Sequence, residues 1–251
     1  KAAVVSILNK VCEEKLEPFI QSSYEELAAF VSAYDQKMIM KRENIADKGI
    51  WTAKKRYILN VWDSEGVRYA EPKLKMMGIE AVKSSTPAPC RNKIKEALNI
   101  IMTKTEEDVI RFIDNFKEEF FSMPPEDIAF PRSVNGLTKW SDPVTLYKKS
   151  CPIHVRGALL YNFQLKKRKL THKYPLIQEG EKIKFCYLQK PNTVGENVIS
   201  FISNFPTEIN IHKNVDYKLQ FEKSFLYPLK IILDAIGWKT EKEVNLEFLF
   251  T

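Results

Sequence analysis

Several residue types and motifs that carry common chemistries are scarce in this chain of 251 residues. Its four cysteines, Cys12, Cys90, Cys151 and Cys186, are widely spaced and include no Cys-x-x-Cys pair, which excludes a small disulfide-stapled domain. Three histidines leave little room for a catalytic triad, and no Gly-x-Gly-x-x-Gly, Walker, His-Glu-x-x-His or Gly-x-Ser-x-Gly motif is present. No apolar run has the length of a membrane span and no signal-peptide pattern opens the chain, so we expect no membrane partner.

The composition indicates a folded protein with a sizeable core and a basic surface. Hydrophobic residues make up 44% and charged residues 28%, which suits one large domain or two small ones. The net charge is +7, and four cations follow one another at 166–169. Such a run is typical of a solvated loop, although it also attracts phosphates at long range. The excess of cations therefore favours a polyanionic partner.

Helical and strand patterns are both present along the chain and predict an α+β fold. Apolar residues three and four apart predict helices, which we expect at 2–33, 92–102, 105–121, 197–203 and 224–236. Alternating or β-branched segments predict strands at 37–40, 51–62, 67–70, 153–163 and 182–188. We further expect a turn at Gly49, a hairpin turn at 63–66, an N-cap at Thr105 and a loop at 126–150.

A cluster of cations lies within the strand predicted at 51–62. On a strand, Lys54 and Arg56 would share one face and Lys55 and Tyr57 the other. One interpretation is a grip on phosphates, with the tyrosine as a flat hydrogen-bonding surface beside a sugar or base. The alternative is an edge strand whose cations are simply solvated.

Hydroxyl side chains cluster just before the helix predicted at 92–102. Lys83, Ser84, Ser85 and Thr86 offer a cation, three hydroxyls and backbone N–H groups, which together suit a phosphate oxygen. The alternative is ordinary capping ahead of a helix that starts with proline.

Two further residues suggest either metal or DNA binding. Cys151 and His154 are three residues apart and could form half of a zinc site, but no second pair stands at metal-ligand spacing. On the strand predicted at 153–163, His154 and Arg156 would share a face, so both could instead point at DNA.

The last residues of the sequence form an apolar tail, defined here as Leu246, Phe248, Leu249 and Phe250. Large apolar side chains favour burial, whereas a chain terminus is usually polar and frayed. The tail could dock on its own domain. We favour insertion into a hydrophobic pocket on a partner.

Taken in order, these segments resemble the palm and thumb of family B replicative DNA polymerases of T4-like bacteriophages. The segments that carry the resemblance are 41–46, 51–57, 69–78, 83–87, 151–157 and the apolar tail. It implies a palm remnant of helix and antiparallel strands at 1–78 and a clamp-binding tail at 244–251. Between them, 79–243 would be a mixed, largely helical thumb with a small β region.

The resemblance also implies roles for individual residues. Residues 54–57, preceded by Thr52, would grip the primer–template near the primer end, and 83–86 would follow the duplex backbone at the palm–thumb junction. His154 and Arg156 would lie near the duplex, and Glu43 near the metal site without being a principal ligand. The apolar tail would bind the sliding clamp.

The chain also departs from the family pattern. It contains no Asp-Thr-Asp-Ser or Ser-Leu-Tyr-Pro motif and no fingers helix, so we expect it to begin just after the second catalytic aspartate strand. Two-metal phosphoryl transfer needs those carboxylates. We therefore expect no cofactor in this chain, no activity of the chain alone, and Mg²⁺ only in the assembled polymerase.

Two functions remain open at this point. In the first, the chain assembles with an N-terminal portion that carries the exonuclease, fingers and catalytic palm, in the cytoplasm of an infected bacterium. In the second, it is a standalone adaptor that binds duplex DNA and the clamp. An exposed apolar patch around Val4, Val5 and Leu8 would favour the first, and a hydrophilic face the second.

Overall fold

A computed structural model describes residues 2–242, so the apolar tail lies outside the described residues. Helices and antiparallel strands are both present, which confirms the α+β class. The chain divides into two compact units, Lys1–Met77 (unit 1) and Gly78–Thr251 (unit 2). The assignment of 1–78 to a palm part and of 79–243 to a thumb stays a prediction. Within residues 2–242, no helix is both long and apolar enough to cross a membrane.

Unit 1 consists of two helices and a three-stranded antiparallel sheet. Its elements are α1 (Ala2–Val11), a π-helical turn (Cys12–Leu16), α2 (Glu17–Phe30), β1 (Asn44–Ala53), β2 (Arg56–Ser64) and β3 (Val67–Met77). The predicted helix at 2–33 is thus confirmed, and the chain passes Pro18 at the start of α2. β2 is the central strand, and its Ile58 and Val61 are buried. The predicted hairpin turn at 63–66 is also confirmed, because β2 and β3 pair up to Ser64 and Val67.

Three predictions within unit 1 are wrong. Residues 37–40 form no strand, and 51–62 is not one strand, because the chain reverses at Lys54 and Lys55 between β1 and β2. A turn places neighbouring cations in water, which relieves their repulsion better than a strand does. Gly49 lies inside β1 rather than at a turn. A Cβ at this position would lie 2.5 Å from Cη2 of the Trp51 ring, so the close approach of that ring explains the glycine.

A buried ion pair ties the sheet of unit 1 to its helices. Asp63 on β2 is only 1% exposed, and its Oδ1 lies 2.7 Å from Nη1 of Arg42. The other guanidinium nitrogen, Nη2, donates to Oδ1 of Asn9 on α1 at 2.7 Å, and the Arg42 backbone N–H donates to Glu17 on α2 at 3.1 Å. Asp63 also accepts a hydrogen bond from the Gly66 N–H at 3.0 Å, so one carboxylate fixes both the hairpin turn and the helices.

Unit 2 is built from helices around a phenylalanine core and from a small sheet. Its longer helices are α3 (Ala88–Thr103), α4 (Glu106–Ser122), α7 (Ile153–Lys167) and α9 (Tyr227–Asp234), and its short ones are α5 (Pro125–Ile128), α6 (Leu137–Trp140) and α8 (Tyr217–Phe221). One sheet pairs β4 (Phe130–Ser133), β7 (Lys182–Tyr187) and β8 (Val198–Phe201) in that order, and a two-stranded ribbon pairs β5 (Ser141–Asp142) with β6 (Leu146–Tyr147).

The helical core of unit 2 follows the sequence predictions well. Thr105 and Asp108 form a capping box at the start of α4, as the N-cap prediction required. Phe116 on α4 packs edge-on against Phe225, with ring centroids 4.7 Å apart. The predicted helix at 224–236 is confirmed in a continuous path through a π-helical turn (Glu222–Leu226) into α9.

Two predictions of secondary structure in unit 2 are wrong, one a strand that is a helix and the other a helix that is a strand. The strand expected at 153–163 is α7, in which Val155, Ala158, Tyr161 and Leu165 are buried at helical spacing. The helix expected at 197–203 is the buried strand β8. A short apolar segment fits both the helical period of 3.6 residues and the strand period of two. Its packing in the folded protein decides whether it forms a helix or a strand. The loop expected at 126–150 contains α5, β4, α6, β5 and β6.

Gly157 allows α7 to cross β8 at close range. A Cβ at this position would lie 2.5 Å from Ser200 Oγ and 2.9 Å from the Ser200 backbone nitrogen.

We therefore expect Gly157→Ala to lower the free energy of unfolding of unit 2 by about 3 kcal/mol, because the backbone of β8 must move. Urea denaturation measures this loss. Lys166→Ala on the same helix is the control, with a change within about 0.5 kcal/mol, and an equally small effect of Gly157→Ala would contradict the close packing.

Candidate nucleic-acid interface

The hairpin between β1 and β2 presents two free cations at its tip. Lys54 and Lys55 form the turn, both are exposed, and neither makes an ion pair within residues 2–242. Lys55 has a left-handed backbone, with φ 62°. The prediction that both lie on strand faces is therefore wrong, but the turn leaves their ammonium groups free to reach phosphates.

The remaining residues of the predicted grip lie on the strands behind this turn. Arg56 and Tyr57 begin β2 and are half-buried, and Tyr57 stands opposite Trp51 on β1. The Thr52 hydroxyl donates to the Arg56 carbonyl at 3.4 Å, across the hairpin. Thr52 thus supports the turn, while Tyr57 keeps one part of its ring accessible.

Glu43 is engaged by a neighbour in unit 1. Its carboxylate forms an ion pair with the Lys75 ammonium group, and the hydrogen bond from Lys75 holds the pKa of Glu43 below its usual value. The same contact raises the pKa of Lys75.

Across residues 2–242, no group of three or more His, Cys, Asp or Glu side chains is arranged to hold a metal ion. Cys151 and His154 accordingly have no third ligand of these types beside them within that range, as a zinc site would require.

A groove of about 300 Å³ lies between the segment before α3 and the sheet of unit 2, and its lining combines polar and apolar side chains. We call it the serine groove, and its polar lining residues are Ser84, Ser85, Arg132, Ser133 and Lys182. Nη1 of Arg132 donates to the Ser85 and Pro131 carbonyls, each at 3.1 Å, so the guanidinium is held in a fixed orientation. Cations and hydroxyls around one groove are suited to a phosphate oxygen.

The serine groove includes only part of the predicted 83–86 cluster. Ser84 is exposed and Ser85 half-buried at the groove, whereas Thr86 is buried. Lys83 is paired with Glu80, with Nζ and Oε1 2.8 Å apart. Helix capping does not account for these hydroxyls, because Pro87 is the N-cap of α3 and no side chain caps that end.

Sequence reasoning missed the two cations of the serine groove. Antiparallel pairing of β4 with β7 places Ser133 opposite Lys182 and Arg132 opposite Ile183, across about fifty residues of sequence. Arg132 stands alone in a segment that we expected to be a loop. No local pattern in the sequence indicates that this arginine meets Ser84 and Ser85.

His154 and Arg156 lie on α7, so the prediction that they share a strand face is wrong. Burial lowers the pKa of His154, and the charge of Arg132 lowers it further, so the imidazole is neutral at pH 7. Arg156 Nη2 donates to Asn197 Oδ1 at 2.6 Å, and the guanidinium lies 5.7 Å from the centre of the Tyr147 ring. Both residues are therefore less free for phosphates than the hairpin lysines are.

The basic run at 166–169 is exposed at the end of α7, as expected for a solvated segment. The segment that follows the run is held by Glu208, whose carboxylate accepts hydrogen bonds from Lys173 and Tyr174. These bonds lower the pKa of Glu208 to about 2. The run thus contributes positive charge on an anchored loop.

Comparison with known proteins relates the whole chain to one class of enzyme. The chain is 33% identical to the DNA-directed DNA polymerase of Enterobacteria phage T4 and 36% identical to that of Escherichia phage RB69. Each alignment covers 98% of this chain. The chain is a relative of phage DNA-directed DNA polymerases. It spans only 28% of the length of each of these two polymerases, and no family model matches it.

Proposed function

We propose that this chain is the C-terminal palm-and-thumb part of a phage DNA polymerase and that it holds primer–template duplex through backbone contacts. The observation that carries the proposal is the alignment of 98% of the chain with two DNA-directed DNA polymerases. In this assignment unit 1 is the palm part and unit 2 the thumb. The parent enzyme is a nucleotidyltransferase of family B.

The charges described above support the duplex-binding role. Lys54 and Lys55 form a cationic hairpin tip in unit 1, and Arg132 and Lys182 flank hydroxyls in unit 2. Such groups bind phosphate oxygens without reading base sequence. Their binding releases counterions, so we expect affinity to fall steeply as salt rises. The remaining predicted contacts are those of Thr52, Arg56, Tyr57, His154 and Arg156.

Catalysis in this proposal requires the rest of the polymerase. The residues described here offer no carboxylate cluster for two metal ions, and Glu43 is paired with Lys75. The Mg²⁺ ions of the assembled enzyme would be held by aspartates of the N-terminal portion, which also carries the exonuclease and fingers. This chain alone is therefore catalytically incomplete.

The exposed face of α1 and α2 favours assembly with that portion over the standalone adaptor. Val4 is 58% and Leu8 44% exposed, and Phe19 further along is 69% exposed, whereas Val5 is buried within the unit. Apolar side chains in a continuous helical region are typical of a surface that another part of a protein covers. A free adaptor would need a polar face here.

A single lysine variant tests the duplex grip. Lys55→Ala removes one phosphate contact, so we expect weaker binding to every duplex sequence by a similar factor and a salt slope reduced by about 1. Fluorescence anisotropy with two unrelated labelled duplexes, at two salt concentrations, measures both effects. Single-stranded DNA of the same length serves as the comparison.

Lys10→Ala is the matched control, since Lys10 is an exposed lysine of the same unit away from the hairpin. It should leave both affinity and salt slope unchanged. A loss for Lys55→Ala that depended on base sequence would contradict the phosphate role. Wild-type protein that failed to bind duplex at low salt would contradict the proposal that this part grips DNA by itself.

A further inference from the structure

A second cleft in unit 2 has a different chemistry from the serine groove. It encloses about 340 Å³ beside the sheet, and we call it the aromatic cleft. Phe130 and Phe185 line it and are buried, and their rings stack on each other with centroids 5.2 Å apart and an interplanar angle of 24°. Tyr187 meets Phe130 edge-on at 6.2 Å, and Tyr227, which also lines the cleft, is 62% exposed.

Charged groups lie at the rim of the aromatic cleft. Arg132 lines it from β4, and Lys223 lines it from the turn before α9 with its ammonium 5.9 Å from the centre of the Tyr187 ring. Glu222 adds an exposed carboxylate. A cleft with flat apolar walls, two cations and one hydrogen-bond acceptor is complementary to a ligand that has an aromatic ring, an amino group and a phosphate.

Arg132 belongs to both clefts. It lines the serine groove together with Ser84 and Lys182, and it lines the aromatic cleft together with Tyr187 and Tyr227. A nucleic-acid strand with a phosphate on Arg132 would therefore lie beside both the serine groove and the aromatic cleft. A base paired within a duplex is stacked on both sides and cannot enter such a cleft, whereas an unpaired base can.

We propose that the aromatic cleft binds one unpaired nucleotide of a DNA strand. The base lies against Tyr227 and Tyr187, and its phosphate lies between Arg132 and Lys223. This inference rests on the proposed function for the class of ligand, but it assigns a site for single-stranded DNA rather than for duplex. Stacking on a tyrosine is sequence-tolerant, so the site accepts any base and favours purines through their larger rings.

The test compares three labelled probes by fluorescence anisotropy with the full chain: a short oligodeoxyadenylate, the same backbone with abasic sites, and a blunt duplex. Tyr227→Ala is expected to weaken binding of the oligodeoxyadenylate about tenfold and to leave the abasic strand and the blunt duplex unchanged. Tyr227→Phe should retain affinity, because the ring rather than the hydroxyl carries the contact. Tyr34→Ala, which removes an exposed tyrosine of unit 1, is the control and should change nothing.

Each outcome separates this site from the proposed duplex grip. Equal affinity of wild type and Tyr227→Ala for the oligodeoxyadenylate overturns the inference, as does wild-type binding of the abasic strand with the same affinity as the base-containing strand. An equal loss for the blunt duplex also overturns it, since the cleft would then serve duplex binding. If wild type fails to bind blunt duplex but binds the oligodeoxyadenylate through Tyr227, the duplex grip fails and the site stands.

Discussion

Deletion of residues 246–251 is expected to abolish binding to the phage sliding clamp and to leave affinity for duplex DNA unchanged. The deleted segment contains two leucines and two phenylalanines among its six residues. Side chains of this size would bury most of their surface in a hydrophobic pocket, and each contributes about 1.5 to 3 kcal/mol when fully buried. Four such anchors together amount to about 6 to 12 kcal/mol, which is comparable with the roughly 8 kcal/mol of a micromolar complex, so their removal should abolish binding. Surface plasmon resonance on immobilised clamp measures the loss.

A double substitution distinguishes the apolar tail from a general effect of truncation. Phe248→Ala with Phe250→Ala should reproduce the deletion, whereas Glu247→Gln should bind the clamp within about twofold of wild type. Duplex affinity, measured by anisotropy on the same samples, shows that the remaining chain is intact. Unchanged clamp binding after deletion would assign the tail to packing on its own domain and contradict the clamp-binding role that the resemblance implies.

Asp63→Ala is expected to lower the free energy of unfolding of unit 1 by about 3 to 5 kcal/mol. The change leaves the Arg42 guanidinium, whose side chain is 11% exposed, without the carboxylate 2.7 Å away. It also removes the acceptor of the Gly66 N–H at the β2–β3 turn. The unpaired charge of Arg42 and the unsatisfied N–H of Gly66 both lower the stability of unit 1, because each leaves a polar group without its partner.

Hydrogen exchange of amides in β2, followed by mass spectrometry, measures this loss within unit 1 alone. Asp35→Ala is the matched control, because Asp35 makes an exposed ion pair with Lys37 at 3.5 Å. An exposed pair of this kind is worth at most about 1 kcal/mol, so its protection should hardly change. Comparable protection in Asp63→Ala and wild type would show that the ion pair adds nothing to the stability of the unit.

The parts of the fold that could be predicted are those fixed by local chemistry. The capping box of Thr105 and Asp108 is visible within four consecutive residues of the sequence. The turn at 63–66 is likewise local, because Asp63 within it accepts the hydrogen bond of the Gly66 N–H. The sequence predicts a strand where α7 lies, because the apolar residues of this segment fit both periods, and the segment is helical in the structure, packed closely on β8. Tertiary burial decides such segments, and sequence period alone does not.

The candidate site, too, can be predicted from the sequence only in part. A run of cations at 54–56 and a run of hydroxyls at 84–86 are visible in the sequence, although the conformation of the first was predicted wrongly. Arg132 and Lys182 are brought to the same groove by strand pairing between distant segments. The aromatic cleft likewise combines β4, β7 and the turn before α9, so no local pattern could have shown it.

The left-handed backbone at Lys55 limits which residues can replace it. At a φ of 62°, glycine is unstrained, asparagine and aspartate are tolerated, and β-branched residues are strongly disfavoured. None of the favoured residues carries a positive charge, so a lysine here costs about 1 kcal/mol of conformational strain. Mutational drift at this position would therefore increase stability while weakening the attraction to phosphate. The backbone of Lys54 is not left-handed, so a lysine there carries no such strain.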